Sequence, residues 1–169
     1  MAVTLDRRGF LKAGGGAAAT LLVTPYVKVF DGFAWQVSPF PAKVLANINN
    51  LTQGQPLVDL YPDDNSPIVL VKLGERAIGG IGPDKDVVAF SLLCTHRGCT
   101  VSYLDDNSFA CPCHHSKFDA AKAGQVVIGQ ATEDLPQVDL ELAANGDISA
   151  VGIRRLIYGR YDNEQFLNP

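Results

Sequence analysis

Every cysteine and histidine of this 169-residue chain lies within one short stretch, residues 94 to 115. Thiolates and imidazoles are the ligands that soft and borderline metals prefer, so their concentration in one stretch predicts a single metal centre. The fold has to hold these side chains together, and this requirement constrains the chain more than any other feature. The residues are Cys94, His96, Cys99, Cys111, Cys113, His114 and His115.

Composition and charge place the chain among ordinary globular proteins. Hydrophobic residues make up 47% of the sequence and charged residues 19%, which disfavours intrinsic disorder and a polytopic membrane protein. The length fits one domain, or one domain with a targeting segment. The 14 basic residues are outnumbered by 18 acidic ones, for a formal net charge of -4. Binding to a nucleic-acid backbone needs a basic surplus, so nucleic acid is excluded as a partner.

The N-terminal segment has the pattern of an export signal. Arg7 and Arg8 precede an uncharged run over residues 13–27, as in twin-arginine signals, which carry folded proteins with their cofactors across the bacterial inner membrane. We therefore predict a signal segment over residues 1–34, a linker over residues 35–43 and a periplasmic location. The run is shorter than the ~20 residues of a membrane span, so membrane association would require an uncleaved N-terminus. The alternative, an amphipathic first helix, is disfavoured by the glycines at 14–16.

From residue 44 onward the chain has the sequence pattern of a β protein. Short runs of Val, Ile and Leu are separated by Gly, Pro, Asn and Asp, which predicts strands joined by turns. Asn145-Gly146 predicts a two-residue hairpin turn, and residues 119–123 are compatible with a single helical turn. The predicted strands are 44–48, 57–61, 68–73, 87–92, an alternating segment over 138–142, and 148–158.

Two cysteine-containing loops carry the chemistry. The motifs CTHRGC at 94–99 and CPCHHS at 111–116 each offer one thiolate and one imidazole. That is the arrangement of a Rieske [2Fe-2S] centre, in which two histidines replace two cysteines on one iron and raise the reduction potential. A structural zinc site would leave two exported thiols unexplained. A module held by disulfides without metal is the other alternative, which the visible absorption of the purified protein would decide.

The two motifs resemble those of the Rieske superfamily, and longer stretches resemble the small subunit of arsenite oxidases. The resemblance covers most of residues 44–160, and the segments that carry it are 72–74, 79–83, 87–99, 111–136 and 156–160. It implies a periplasmic heterodimer in which a molybdopterin large subunit oxidises arsenite to arsenate. The Rieske subunit would pass single electrons to a soluble cytochrome c or a small copper protein, with no substrate chemistry of its own. Small subunits of iodate reductases are closely similar, with electrons running the other way, so both oxyanions stay open.

The resemblance also implies roles for the residues of the two loops. One [2Fe-2S] cluster would be ligated by Cys94, His96, Cys111 and His114. Cys99 and Cys113 would close a disulfide between the two loops, as in respiratory Rieske proteins.

Neighbouring positions are interpreted in the same way. Ser116 matches a residue whose hydroxyl donates to a bridging sulfide in respiratory Rieske proteins, whereas Phe118 stands where those proteins carry a tyrosine. His115 is expected at the surface beside the cluster. Residues 129–136 correspond to a loop that covers the cluster, and Gln130 replaces the proline of the Gly-Pro-Ala pattern of quinol-oxidising proteins.

We therefore predict an all-β Rieske fold over residues 44–169. Its base would be an antiparallel sandwich or barrel, with a cluster-binding subdomain inserted at about residues 90–136. The departures at Phe118 and Gln130 disfavour a quinol-oxidising respiratory protein, and the export signal disfavours a cytosolic ferredoxin. A Rieske oxygenase would need two further histidines for its mononuclear iron, and only His115 remains. Arg97 is expected near the exposed histidine edge, either in contact with a partner or solvated.

Overall fold

The computed structural model describes residues 40–159, which all belong to one structural unit. The predicted signal segment with Arg7 and Arg8, and most of the predicted linker, lie outside the described residues. Within residues 40–159, no helix has the length and apolar character that crossing a membrane requires.

The prediction of an all-β fold is confirmed. The described part of the chain forms ten strands, and its one helical segment is a short 3-10 turn at Ile48–Asn50. The strands are β1 (Lys43–Asn47), β2 (Leu57–Leu60), β3 (Pro67–Lys72), β4 (Val87–Ser91), β5 (Ser102–Leu104), β6 (Ser108–Ala110), β7 (Lys117–Asp119), β8 (Gln125–Ile128), β9 (Gln137–Leu142) and β10 (Asp147–Ile153).

Six of these strands form an antiparallel sheet in the order β1-β10-β9-β4-β3-β2. The two edge strands meet, because Lys43 of β1 donates from Nζ to Asp59 Oδ1 at 2.7 Å and to the Leu60 carbonyl oxygen at 2.9 Å, both in β2. The sheet is therefore nearly closed, and its inner face is shielded from water.

Strands β3 and β4 are buried on both faces. Ile68 and Leu70 of β3 belong to one apolar cluster, here called the barrel core, whereas Val69 and Val71 belong to a second one, the interface core. Successive side chains of a strand point to opposite faces, so a strand covered on both sides needs apolar residues throughout. This explains why β3 and β4 appear in the sequence as continuous apolar runs rather than as alternating ones.

The other four strands form a small antiparallel sheet in the order β5-β6-β7-β8, which the sequence did not predict. Phe109 of β6 and Phe118 of β7 lie opposite each other in its register and are both fully buried in the interface core. The Phe109 ring packs edge-on against Phe90 of β4, with ring centroids 5.3 Å apart. This aromatic contact holds the small sheet on the large one.

Three local predictions differ from the structure. The hairpin connection spans four residues, 143–146, and only Gly146 is left-handed, with φ of 90°, whereas the predicted turn type needs positive φ at Asn145 as well. Residues 120–124 form a hydrogen-bonded turn after β7 instead of a helical turn. Strand β10 ends at Ile153 instead of Tyr158, and Arg155, two residues further on, has φ of 74°, which an extended strand does not allow.

A disulfide ties the two motif loops together. We call residues 94–99 the first loop and residues 111–116 the second loop. Cys99 and Cys113 are bonded, with Cα atoms 6.5 Å apart, as the family resemblance implied. The bridge spans the hairpin of β5 and β6, so the loops at its two ends cannot separate.

Replacing both Cys99 and Cys113 by serine is expected to lower the thermal unfolding temperature by roughly 6 to 12 °C, because closing a loop of about 15 residues contributes ~3 kcal/mol. Scanning calorimetry of the full chain measures the change. Thr100→Ser is the matched control, since Thr100 is an exposed neighbour of Cys99. An unchanged transition in the double variant would show that the bridge adds no stability.

Candidate metal centre

The two loops share one backbone arrangement. In each loop the first cysteine donates its N–H to the carbonyl oxygen five residues on, and its own carbonyl oxygen accepts the N–H of the residue four positions on. These distances are 2.9 and 2.7 Å for Cys94, and 2.8 and 3.1 Å for Cys111. Each loop is thus closed on itself by a reciprocal pair of hydrogen bonds.

Both loops close around a residue with left-handed backbone. Gly98 has φ of 73° in the first loop, and His115 has φ of 58° at the equivalent position of the second loop. Glycine adopts this conformation freely, whereas a side chain there costs of order 1–2 kcal/mol. The His115 side chain is exposed, which avoids a further steric penalty and places it beside His114 at the surface.

Two free thiols lie in the apolar interior. Cys94 and Cys111 are 1% and 3% exposed and belong to the interface core. The Cys111 side chain lies close enough to Cys94 to raise the pKa of its thiol, so the sulfurs of the two loops are neighbours. Both sulfurs can therefore approach one metal centre that water does not reach easily.

The surroundings of Cys94 both oppose and favour a thiolate. Burial raises the pKa of this thiol and the neighbouring Cys111 sulfur raises it further, whereas the backbone N–H groups of His96 and Arg97 lower it. Without a metal the apolar surroundings keep the thiol neutral. N–H groups directed at a sulfur stabilise it as a ligated thiolate.

The disulfide narrows the choice of metal ligands. The sulfurs of Cys99, Cys111 and Cys113 lie within 4.8 Å of one another. Because Cys99 and Cys113 are bonded to each other, neither has a thiolate to offer. The free thiols of the chain are therefore Cys94 and Cys111.

The imidazoles of His96 and His114 also meet across the two loops. Their Nδ1 atoms are 3.2 Å apart, and their rings are nearly perpendicular at 87°. This separation suits one hydrogen bond between neutral rings, but two nitrogens each about 2 Å from one tetrahedral metal ion would also be about 3.3 Å apart. Two thiols that meet and two imidazoles that meet fit a [2Fe-2S] group with one iron held by each pair.

The loop predicted to cover the cluster, residues 129–136, packs directly on the second loop. Ser116 is buried, and its Oγ accepts the Ala131 N–H at 2.9 Å. A Cβ on Gly129, which has φ of 107°, would lie 2.3 Å from Ser116 Cα, so a side chain cannot fit there. The Ser116 hydroxyl proton is not used in the contact with Ala131 and stays available for donation.

The covering loop, as we call residues 129–136, also contacts the first loop through a residue that the sequence analysis missed. Thr95 is 2% exposed, and its Oγ1 donates to the Glu133 carbonyl oxygen at 2.5 Å. The next residue, Asp134, accepts the Val126 N–H of β8 at 3.0 Å. Thr95 could have been identified from the sequence, because it carries a hydroxyl group and lies between two predicted ligands.

The remaining predicted positions are distributed between core and surface. Phe118 is fully buried in the interface core and brings no hydroxyl to the site. Gln130 and Arg97 are both exposed. Neither Gln130 nor Arg97 is therefore needed for packing, which leaves their side chains free for solvent or a partner.

Comparison with known proteins gives the same fold. The family model of the Rieske [2Fe-2S] domain matches residues 43–139. The iodate reductase subunit IdrB of Denitromonas iodatirespirans is 41% identical over 163 residues, which cover 94% of this chain and 86% of that protein. The iodate reductase subunit IdrB of Pseudomonas sp. (strain SCT) is 36% identical over 169 residues, which cover 98% and 87%.

Among solved structures, the soluble domain of the Rieske protein II (soxF) from Sulfolobus acidocaldarius matches with a TM-score of 0.65 and 26% sequence identity. The match covers 74% of this chain and 85% of that one. The family model spans both motif loops and most of the described strands. The chain therefore belongs to the Rieske [2Fe-2S] domain family, and its cofactor is one [2Fe-2S] cluster.

Proposed function

We propose that this Rieske protein is the electron-transfer subunit of a molybdenum enzyme that acts on an inorganic oxyanion. The observation that carries the proposal is the similarity of almost the whole chain to two iodate reductase subunits. Iodate is therefore the first candidate, with electrons entering the molybdenum subunit. Arsenite is the second candidate, because segments 129–136 and 156–160 resemble the small subunit of arsenite oxidases.

Within this function we assign the four cluster ligands by their contacts. Cys94 and Cys111 supply the thiolate pair, since they are the free thiols and meet in the core. His96 and His114 supply the imidazole pair through the Nδ1 atoms that face each other. His115 is left out, because its neighbours already complete the set.

Some residues of the site shield the cluster from water, and others leave it accessible to a redox partner. The cluster, when bound, supplies one-electron transfer at a potential above that of four-cysteine clusters. Cys94 and Cys111 lie in the interface core, where Ala131 and Leu135 of the covering loop exclude water. His114 is exposed, so a partner can approach its imidazole edge closely. Electron transfer weakens steeply with distance, which makes this edge the exchange point.

Two features support an oxyanion enzyme over a quinol-oxidising complex. Phe118 lacks the hydroxyl that high-potential respiratory Rieske proteins direct at a ligand sulfur, so less stabilisation of the reduced cluster is expected. Gln130 replaces the proline of their covering loop.

The location and the redox partner belong to the same proposal. The paired Arg7 and Arg8 support export by the twin-arginine route to the periplasm. A soluble cytochrome c or a small copper protein there would exchange electrons with the His114 edge.

Changing His96 or His114 to alanine is expected to abolish the Rieske-type EPR signal of the reduced full chain, because each supplies half of one iron's imidazole pair. His115→Ala is the matched control, since it removes the adjacent exposed imidazole at a left-handed residue and should keep the signal. A Rieske signal retained in either ligand variant would disprove the assignment.

Ser116→Ala is expected to lower the midpoint potential by roughly 30 to 60 mV, because the reduced cluster loses a donor that contributes ~0.7 to 1.4 kcal/mol. Protein-film voltammetry measures the change. Ser91→Ala is the control, since Ser91 is equally buried and its Oγ also accepts a backbone N–H, that of Leu93. Equal potentials for Ser116→Ala and the wild type would contradict the donor role.

Purification of the native complex through this chain from the periplasmic fraction tests the function as a whole. We expect a molybdenum-containing subunit in equimolar amount and consumption of iodate with a reduced viologen dye. Arsenite oxidation with cytochrome c, in place of iodate consumption, would select the second candidate. A complex without molybdenum would refute the proposed function.

A further inference from the structure

The segment that follows β10 returns to the metal centre. We call residues 154–159 the C-terminal strap. Its first residue, Arg154, donates its backbone N–H to the Gln137 carbonyl oxygen at 2.8 Å, and Ile157 is 3% exposed. The strap is therefore fixed to the domain at its start and again in its middle.

The end of the strap touches the first loop backbone to backbone. A Cβ placed on Gly159 would lie 2.8 Å from Gly98 Cα, and one placed on Gly98 would lie 2.6 Å from Gly159 Cα. Both residues are left-handed, with φ of 75° and 73°. Two glycines are required at this crossing, because any side chain would force the two backbones apart.

The covering loop likewise packs against the second loop through the backbone of a glycine. Gly129 approaches Ser116 and the His115 carbonyl oxygen so closely that its Cβ would lie 2.7 Å from that oxygen. Gly98 and His115 are the equivalent left-handed residues of their loops. Each cluster loop is thus supported at corresponding places by a glycine of another segment.

The strap also forms ion pairs with the covering loop. Arg155 contacts Asp134 at 2.8 Å between Nη1 and Oδ2, and Glu133 at 3.9 Å between Nη1 and Oε2. Arg155 is one of the described residues that adopt positive φ without being glycine, a strained backbone conformation that persists only where surrounding contacts hold it. Since Glu133 accepts the Thr95 hydroxyl, the contact links strap, covering loop and first loop.

We propose that the C-terminal strap is a positioning element of the cluster site, in which Gly159 sets the place of the first loop and Arg155 holds the covering loop closed. Gly98 donates its N–H to the Cys94 carbonyl oxygen at 2.7 Å, so its place is tied to that of a ligand residue. A displacement of Gly98 moves the backbone that carries Cys94 and His96, and hydrogen bonds to cluster sulfurs and solvent exposure set the potential of such clusters. The inference rests on the ligand assignment above, but not on the identity of the large subunit.

Gly159→Ala in the full, cluster-loaded chain tests whether Gly159 sets the place of the first loop. We expect the ratio of reduced to oxidised cluster at a fixed electrode potential to change at least twofold, which is about 18 mV at 59 mV per tenfold. The EPR g values should shift as well, since they report the surroundings of the iron. A purely structural role would lower the unfolding temperature and leave both redox readouts unchanged.

Gly54→Ala is the matched control. Gly54 has φ of 74°, and nothing lies within 4 Å of a Cβ placed there. It therefore carries the same backbone cost without the contact. A potential and EPR spectrum that are unchanged in Gly159→Ala, or changed equally in both variants, would overturn the positioning role.

Arg155→Gln tests whether Arg155 holds the covering loop closed. It also tests the role of the strap if the Gly159→Ala protein does not accumulate. Release of the covering loop should at least double the rate at which an iron chelator bleaches the visible absorption, and raised salt should reproduce this effect in the wild type. Arg154→Gln is the control, since Arg154 pairs at 2.6 Å with Asp139 of β9 instead. A wild-type bleaching rate in Arg155→Gln would overturn the role of the strap in closing the loop.

These results are separable from the ligand assignment. If His96→Ala or His114→Ala keeps a Rieske signal, the ligand set is wrong whatever the strap variants do. If those variants lose the signal while Gly159→Ala matches the wild type, the ligands stand and the strap proposal fails.

Discussion

The burial of two cysteine thiols, with the histidines of the same loops at the surface, is the constraint on which the rest of the structure depends. Cys94 and Cys111 lie in the interface core, and a charged sulfur there is costly unless a metal and N–H groups compensate it. The loops must therefore direct sulfurs inward and imidazoles outward over a few residues. Self-closing hydrogen bonds, the Cys99–Cys113 disulfide and the small sheet all serve this requirement.

The contacts that back the loops differ in strength. The Arg155–Asp134 ion pair is partly exposed, with 49% and 27% of the side chains accessible, and such pairs contribute at most about 1 kcal/mol. The glycine crossings cannot adjust by moving a flexible side chain, because backbone lies on both sides. Steric fit therefore sets where the loops lie, whereas the ion pair affects how often the covering loop opens.

Parts of this structure could be predicted from the sequence, and the reason differs between elements. Strands β1 to β4 were predicted to within a residue or two, since their apolar runs are bounded by turn residues. The small sheet was missed because strands of three or four residues carry too little periodicity, and their burial depends on Phe109 and Phe118 packing against the large sheet. The ligand types follow from motif spacing. Motif spacing does not predict the contacts of Gly159, Arg155 and Thr95, since these contacts join segments that are distant in sequence and meet only in the folded chain.

Pulsed EPR of the reduced full chain, labelled with nitrogen-15 only in histidine, tests the central claim most directly. We expect two histidine nitrogens to couple strongly to the cluster, and His115→Ala to leave both couplings in place. A cluster with a single histidine coupling, or with none, would contradict the pairing of His96 with His114 across the two loops.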